Sequence, residues 1–397
     1  MIPYGRQSIS EDDIARVAAA LSGDWLTTGP TVAEFEEQFA ARLGAKHAIA
    51  VANGTAALHL AMLAAEIGPG HRVLTTPNTF LASANAAAFV GATPDFADID
   101  PVSLCLDPDA LAEQWQPDTR AVVAVDYAGQ TADMPGIAKI ARRHGALIIE
   151  DACHAIGGRF EHDGQTWPVG NHPWADMTTY SFHPVKTMTT GEGGMIVTND
   201  DVLAGRLRLL RNHGMTRNPE DFTGLSTDEV FGEQGPWYYE MQALGYNYRI
   251  TDLQCALGLS QLQRLDAFIA RRQEIVARYN DAFADVPHLE SPGLRNPADA
   301  ELTSWHLYTV RIDFAALQTT RTEFMTKLRE RGVGSQVLYI PVHLQPWYRE
   351  TYGYGPGKCP NAEAIYPQLL SLPLFPAMTE DDVATVITEV RRLMEET

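Results

Sequence analysis

The chain has 397 residues, with 50 acidic side chains against 30 basic ones and a formal charge of −20. That balance argues against sequence-independent binding to nucleic acid or an anionic lipid surface, since both need a cationic face. With 45% hydrophobic and 20% charged residues the composition is that of a globular protein with a large core, and the length suits two or three domains, or one large α/β domain with an appendage. Cys105, Cys153, Cys255 and Cys359 lie far apart, with no CxxC and no metal spacing, which fits a reducing cytoplasm. No apolar signal core opens the chain and no run approaches a membrane span.

In chain order, Ser10 is expected to cap a helix carrying Ile14, Val17, Ala18 and Leu21 on one face. Thr31 is expected to cap a second, with Val32, Phe35, Phe39 and Leu43 inward and Gly44 as its stop. Short β-like runs then alternate with helical stretches. His47–Val51 leads to a helix over Gly54–Glu66, Arg72–Thr76 to one over Thr79–Val90, and Thr93–Ala97 follows. Ala121–Val125, a helix over Met134–His144, Ala146–Glu150, Met177–Phe182 and Met195–Thr198 complete the series. Such alternation predicts an α/β fold with a mostly parallel sheet covered on both faces. Ligands of such sheets bind beyond the carboxyl ends of the strands. The segment from Arg217 to Tyr239 reads as a surface loop. After about residue 262 the texture changes to a long helix over Leu262–Phe283, a strand-like Trp305–Asp313, a helix ending near Gly332, and a last helix from Thr379 with Val383, Val386, Ile387 and Val390 inward. The expected division is a large domain over 1–262 and a smaller C-terminal α+β domain over 263–397.

Four strand-end features carry chemistry. Ser181-Phe182-His183-Pro184-Val185-Lys186 precedes Gly191-Glu192-Gly193-Gly194. A lysine there can be partly desolvated, which frees its neutral amine to attack a carbonyl; taken alone it reads more readily as a solvated loop lysine, since most lysines are exposed. Leu147–Glu150 runs into Asp151-Ala152-Cys153-His154. Asp151 could pair with a protonated ring nitrogen, or simply cap a turn. His154 could bond a phenolic oxygen or serve only structure. Asn53-Gly54-Thr55-Ala56-Ala57 places small residues and free N–H groups at a helix start, where phosphate is favoured, though neither a P-loop nor a GxGxxG fingerprint is present. Phe80, after Thr76-Pro77-Asn78-Thr79, could stack on a planar ring or belong to the core.

In this combination and order the parts match a pyridoxal phosphate site, and the sequence resembles the DegT/StrS-type aminotransferases, fold-type I enzymes that transaminate nucleotide-linked keto sugars. The resemblance runs from Trp25-Leu26-Thr27-Thr28-Gly29-Pro30 through Asn53–Ala57, Glu150-Asp151, Ser181–Lys186 and Gly245-Tyr246-Asn247-Tyr248-Arg249 to Leu372-Pro373-Leu374. It implies that Lys186 carries pyridoxal 5'-phosphate and that Asp151 pairs with its ring nitrogen. His154 would contact the ring oxygen, where many relatives have Gln, and Phe80 would stack. Gly54, Thr55, Ala56 and Ser181 would hold the phosphate, with Asn247 reaching over from a second subunit, which implies a homodimer with shared sites. Thr28, His213, Tyr339 and His343 would line the sugar-nucleotide pocket.

The wording Phe182-His183-Pro184-Val185-Lys186, Val125-Asp126-Tyr127-Ala128-Gly129-Gln130 and Tyr339-Ile340-Pro341-Val342-His343-Leu344-Gln345-Pro346 is most similar to one branch. That branch aminates carbon 4 of a UDP-linked 4-keto-6-deoxy-N-acetylhexosamine with L-glutamate, in pseudaminic acid biosynthesis. The alternatives are another nucleotide-sugar aminotransferase, acting at carbon 3 or on a dTDP- or GDP-linked sugar, a pyridoxal-dependent sugar dehydratase, or a non-catalytic regulator with the same fold. Dehydratase relatives typically have His at the lysine position, so Lys186 argues against that reading, and the Lys186–Asp151 pair argues against a regulator. The histidines show no HExxH or other ligand spacing, so no metal is expected.

Overall fold

The computed structural model describes residues 1–223 and 235–396; residues 224–234 of the expected surface loop lie outside the described residues. The chain opens with α1 (Glu11–Leu21) and α2 (Pro30–Leu43). Strands and helices then alternate: β1 (His47–Val51), α3 (Gly54–Ala64), β2 (Arg72–Thr75), α4 (Leu81–Phe89), β3 (Thr93–Phe96), α5 (Pro108–Gln114), β4 (Thr119–Val125), α6 (Met134–Arg143) and β5 (Leu147–Asp151). A hairpin of β6 (Arg159–His162) and β7 (Gln165–Pro168) precedes β8 (Met177–Ser181) and β9 (Gly194–Thr198). Next come α7 (Asp201–Arg211), the short pair β10 (Met215–Thr216) and β11 (Glu240–Met241), α8 (Asp252–Gln263) and α9 (Leu265–Phe283). The last part holds β12 (Leu289–Glu290), β13 (Tyr308–Ile312), α10 (Arg321–Glu330), α11 (Pro346–Tyr352), α12 (Pro360–Ile365), β14 (Leu369–Leu372) and α13 (Glu380–Glu396).

Seven strands form the central sheet in the order β1-β9-β8-β5-β4-β2-β3. The pairs from β8 to β3 are parallel, whereas β9 runs antiparallel to both β1 and β8. Alternation along β4 shows why the sheet is buried on both sides. Ala121, Val123 and Val125 pack under α3 and α4, while Val122 and Ala124 face the core that includes α6 residues. A strand buried on both faces must be apolar there, and β4 is so from Ala121 to Val125, after the exposed Arg120. The carboxyl ends of β2, β4, β5 and β8 share one edge. The β8–β9 connection, which carries Lys186, lies there too, because Ser181 and Val51 both pair with Gly194. A second core packs α9, α10 and α13 around the three-stranded sheet β12-β13-β14. Within it the buried Arg272 donates from Nη1 to the carbonyls of Trp305, His306 and Leu374 at 3.2, 3.1 and 2.9 Å.

Three local expectations are corrected. Thr31 does not cap α2: the cap is Gly29 with Pro30 following, and the Asp252 carboxylate accepts from the N–H groups of Gly29 and Thr31 at 2.8 and 3.0 Å. A tertiary carboxylate has replaced the local hydroxyl. The helix read as Leu262–Phe283 is two helices that break at Arg264, whose guanidinium reaches back to Asp13 at 2.9 Å. On α1, Ser10 caps as expected, through a reciprocal bond with Asp13, but the apolar residues Ile14, Ala18 and Leu21 are exposed.

Candidate active site

At the shared edge the start of α3 meets Ser181. A Cβ placed on Gly54 would lie 2.8 Å from Ser181 Cβ, 3.2 Å from its Oγ and 3.4 Å from Cys153 Sγ. Only glycine fits that approach. Asn53 caps α3 by accepting from the Ala56 N–H at 2.8 Å, and Ala57 bonds the Asn53 carbonyl. The first N–H groups of the helix, those of Gly54 and Thr55, have no intrahelical partner and sit at the positive end of its dipole. This gathers Gly54, Thr55 and Ser181 at a helix start suited to phosphate. Ala56 differs from the expectation, since its amide is already taken by Asn53.

Asp151 ends β5 and is buried. Its Oδ2 accepts from Ser83 Oγ at 2.6 Å and its Oδ1 from the Cys153 N–H at 3.2 Å. Lys186 follows a turn in which its N–H donates to the His183 carbonyl at 2.8 Å, and its side chain is half-buried. Burial holds the Lys186 amine below the usual lysine range, with Cys153 and Asp151 partly opposing the shift. Burial also pushes His154 well below the ordinary histidine value, helped by the nearby Lys186 charge. His154 Nε2 lies 3.1 Å from Tyr339 Oη, while its buried Nδ1 has no partner. The rings of Tyr339 and His154 stack at 6.0 Å, and exposed Phe80, at the cap of α4, stands 6.2 Å from Tyr339.

The fold therefore brings Gly54, Thr55, Phe80, Asp151, His154, Ser181, Lys186 and Tyr339 to one edge. His343 is not among them. Its ring is fully buried, Nε2 is bonded to Glu363 at 2.8 Å, and it packs on Phe96. It is a core histidine rather than a wall of the sugar pocket. Thr28, at φ 54°, and His213, at φ 58°, are exposed on loops. Asn247 is exposed and bridges Asn212, while the His213 N–H donates to the Tyr246 carbonyl at 2.9 Å. Sequence reasoning missed Ser83 and Thr79, which hold Asp151, and His306, whose buried ring lies 4.4 Å from that of His154. It also missed His172, which holds Glu150 behind the site at 2.9 Å. Only the Ser83–Thr79 spacing, one helical turn, was visible in advance.

Pyridoxal phosphate fits these residues. Gly54 lets Ser181 close on the start of α3, whose free N–H groups suit an anion, Asp151 keeps lone pairs for a ring N–H, and the unpartnered Nδ1 of His154 is the kind of buried polar atom that a bound group satisfies. An open α/β sheet with a depressed lysine and an anchored carboxylate at its carboxyl edge defines a fold-type I pyridoxal phosphate enzyme. Comparison with known proteins narrows the class. The chain belongs to the DegT/DnrJ/EryC1/StrS aminotransferase family, whose model matches residues 7–391. It is 42% identical over 394 residues to the spore coat polysaccharide biosynthesis protein SpsC of Bacillus subtilis, covering 99% of this chain and 97% of that one. Among solved structures it is similar to Helicobacter pylori PseC, an aminotransferase of pseudaminic acid biosynthesis, at 28% identity and a TM-score of 0.87 over the full length of both chains. It is likewise similar to a Streptococcus pneumoniae protein in its PMP form, at 27% identity and a TM-score of 0.89 over the full length of both. The protein is a pyridoxal-phosphate-dependent sugar aminotransferase.

Proposed function

We propose that the protein transfers the amino group of L-glutamate to carbon 4 of a UDP-linked 4-keto-6-deoxy-N-acetylhexosamine. The product is UDP-4-amino-4,6-dideoxy-N-acetyl-β-L-altrosamine, a precursor of pseudaminic acid. The observation that carries this reading is the half-buried Lys186, with its amine held below the usual range, in a chain that matches PseC from end to end. A second reading, transamination of a different sugar nucleotide or at carbon 3, is favoured by the likeness to SpsC, whose name places it in spore coat polysaccharide biosynthesis.

Bound pyridoxal phosphate supplies an electron sink for the negative charge that develops when a C–H bond beside the amine nitrogen breaks. Lys186 Nζ, once free, takes that proton from the donor carbon and delivers one to the acceptor carbon in the return half. Asp151 would hold a proton on the ring nitrogen, His154 would bond the ring oxygen, and Phe80 would stack on the ring. Gly54, Thr55 and Ser181 would hold the phosphate, with Asn247 contributed by the partner of a homodimer. Exposed Ile14, Leu21, Trp25 and Leu26 support such a partner, because a single chain leaves this apolar set in water. Thr28, His213 and Tyr339 bound the sugar nucleotide. The reading includes a division of labour between a cofactor-binding part over 1–262 and a smaller part over 263–397, and a cytoplasmic setting; among the described residues no helix is long and apolar enough to cross a membrane.

Incubation of the purified protein with glutamate and a panel of UDP-, dTDP- and GDP-linked keto sugars, read by mass spectrometry and by NMR of the product, tests the reading. A 4-amino product from the UDP sugar is expected. Amination only of a dTDP or GDP sugar, or only at carbon 3, overturns the substrate assignment. Full turnover by Lys186→Ala overturns the catalytic one.

A further inference from the structure

The segment that presents Phe80 also reaches Asp151 from the other side. Ser83 sits in the first turn of α4, and its Oγ lies 2.6 Å from Asp151 Oδ2. Thr79 Oγ1 lies 2.7 Å from Ser83 Oγ. All three side chains are at least nine-tenths buried, with residue exposures of 3%, 1% and 5% for Thr79, Ser83 and Asp151. The hydrogens can be assigned. A carboxylate offers only acceptors, so Ser83 must donate its single hydrogen to Asp151, and Thr79 must then donate to Ser83. The chain of donation runs in one direction, toward the carboxylate. With the Cys153 N–H on Oδ1, both carboxylate oxygens are held, each keeping a lone pair.

We infer that Thr79 and Ser83 are positioning residues: a two-hydroxyl relay that locks the rotamer of Asp151 so that a free lone pair faces the ring nitrogen of the cofactor. This rests on the proposed pairing of Asp151 with that nitrogen. Without the relay the carboxylate keeps only its bond to the Cys153 amide and can turn about its terminal torsion, which is broad for Asp. The short α4 then still offers Phe80 to the ring, so the two roles of the segment are separable.

The test uses two probes on the full-length apoprotein: pyridoxal phosphate, and its 1-deaza analogue in which the ring nitrogen is replaced by C–H. Ser83→Ala is expected to weaken pyridoxal phosphate binding about tenfold, the scale of a lost hydrogen bond to a charged group, and to leave the analogue within about twofold. Thr79→Val should weaken pyridoxal phosphate by a smaller factor, again without effect on the analogue, and Thr79→Ser should restore wild-type affinity. Equal losses for both probes, no loss for either, or tighter pyridoxal phosphate binding would overturn the relay. Asp151→Asn separates the two layers of the argument. If it discriminates between the probes while Ser83→Ala does not, only the relay falls; if it fails to discriminate, the assignment of Asp151 falls as well.

Discussion

Behind the catalytic edge, Glu150 and His172 are both fully buried at their side chains, and replacing His172 with Phe isolates what their contact does. His172 Nε2 lies 2.9 Å from Glu150 Oε1, and the Trp174 N–H donates to His172 Nδ1 at 3.3 Å. Nδ1 therefore carries a lone pair, and Nε2–H is the donor to Glu150. Thr178 Oγ1 at 2.7 Å and the Gly170 N–H at 3.1 Å supply Oε2. Burial pushes the Glu150 carboxyl up, but His172 and then Thr178 outweigh it and hold the group below its ordinary value. Nearby Asp126 goes the other way: burial first, then the Glu150 charge, raises its carboxyl well above the usual range. Phe at 172 keeps the ring contacts with Phe160 and Trp174 but leaves Oε1 without its donor. The cost of stranding a buried charge in this way is about 3 kcal/mol. Urea unfolding of the apoprotein measures it.

The pH dependence follows from the sign of the shift. A carboxyl whose folded pKa is depressed adds stability above its unfolded pKa, and that stability is lost as pH falls through the folded value. The deficit of His172→Phe should be full at pH 7.5 and shrink as pH falls toward and then below about 4.5, as the stranded Glu150 of the variant, and then that of the unfolded chain, is protonated. A deficit under about 1 kcal/mol, against the cost expected for a stranded buried charge, or one that grows on acidification, would refute the reasoning.

Gly54→Ala should displace Ser181 or the start of α3, because no Cβ tolerates a 2.8 Å contact; equilibrium dialysis should show cofactor affinity falling at least tenfold, the scale of about 1–3 kcal/mol of overpacking. His59, His154, His306 and His343 are all buried and held below the ordinary histidine value, chiefly by burial. Because the unfolded chain takes up protons that the folded one refuses, stability should fall as pH drops below about 6.5. Thermal melts of the apoprotein between pH 8 and 5.5 check this, and His306→Phe should flatten the slope. Co-refolding Lys186→Ala with Asn247→Ala should regenerate activity above that of either variant alone, if Asn247 completes the partner's site; steady-state assays of the mixture read it out.

Much of this fold is legible because doubly buried strands in an α/β chain must be apolar and short, and the runs at 47–51 and 121–125 say so plainly. The antiparallel course of β9 is not legible, since a buried strand has the same composition in either direction. Local signals fail where distant groups take over. Asp252 supplants Thr31 at the start of α2, and Arg264 reaches Asp13 across 251 positions instead of continuing a helix. The same limit applies at the site. Lys186, Asp151 and the α3 turn each stand at a strand end, so topology alone gathers them. Ser83 and His172 become visible only once the sheet puts strands and helices side by side. His343 failed because a histidine beside prolines reads alike whether it faces ligand or core, and Glu363, 20 residues on, decided the matter.

The grip of Arg272 on three carbonyls reaches further than its own core. Two of those carbonyls belong to Trp305 and His306, and the His306 ring leans on His154 beside the place where the cofactor's oxygen would sit. The second core is thus tied to the candidate site through one pinned stretch of main chain. Any change that shifts this pin moves the imidazole resting on His154 as well, so the two regions are not free to drift independently.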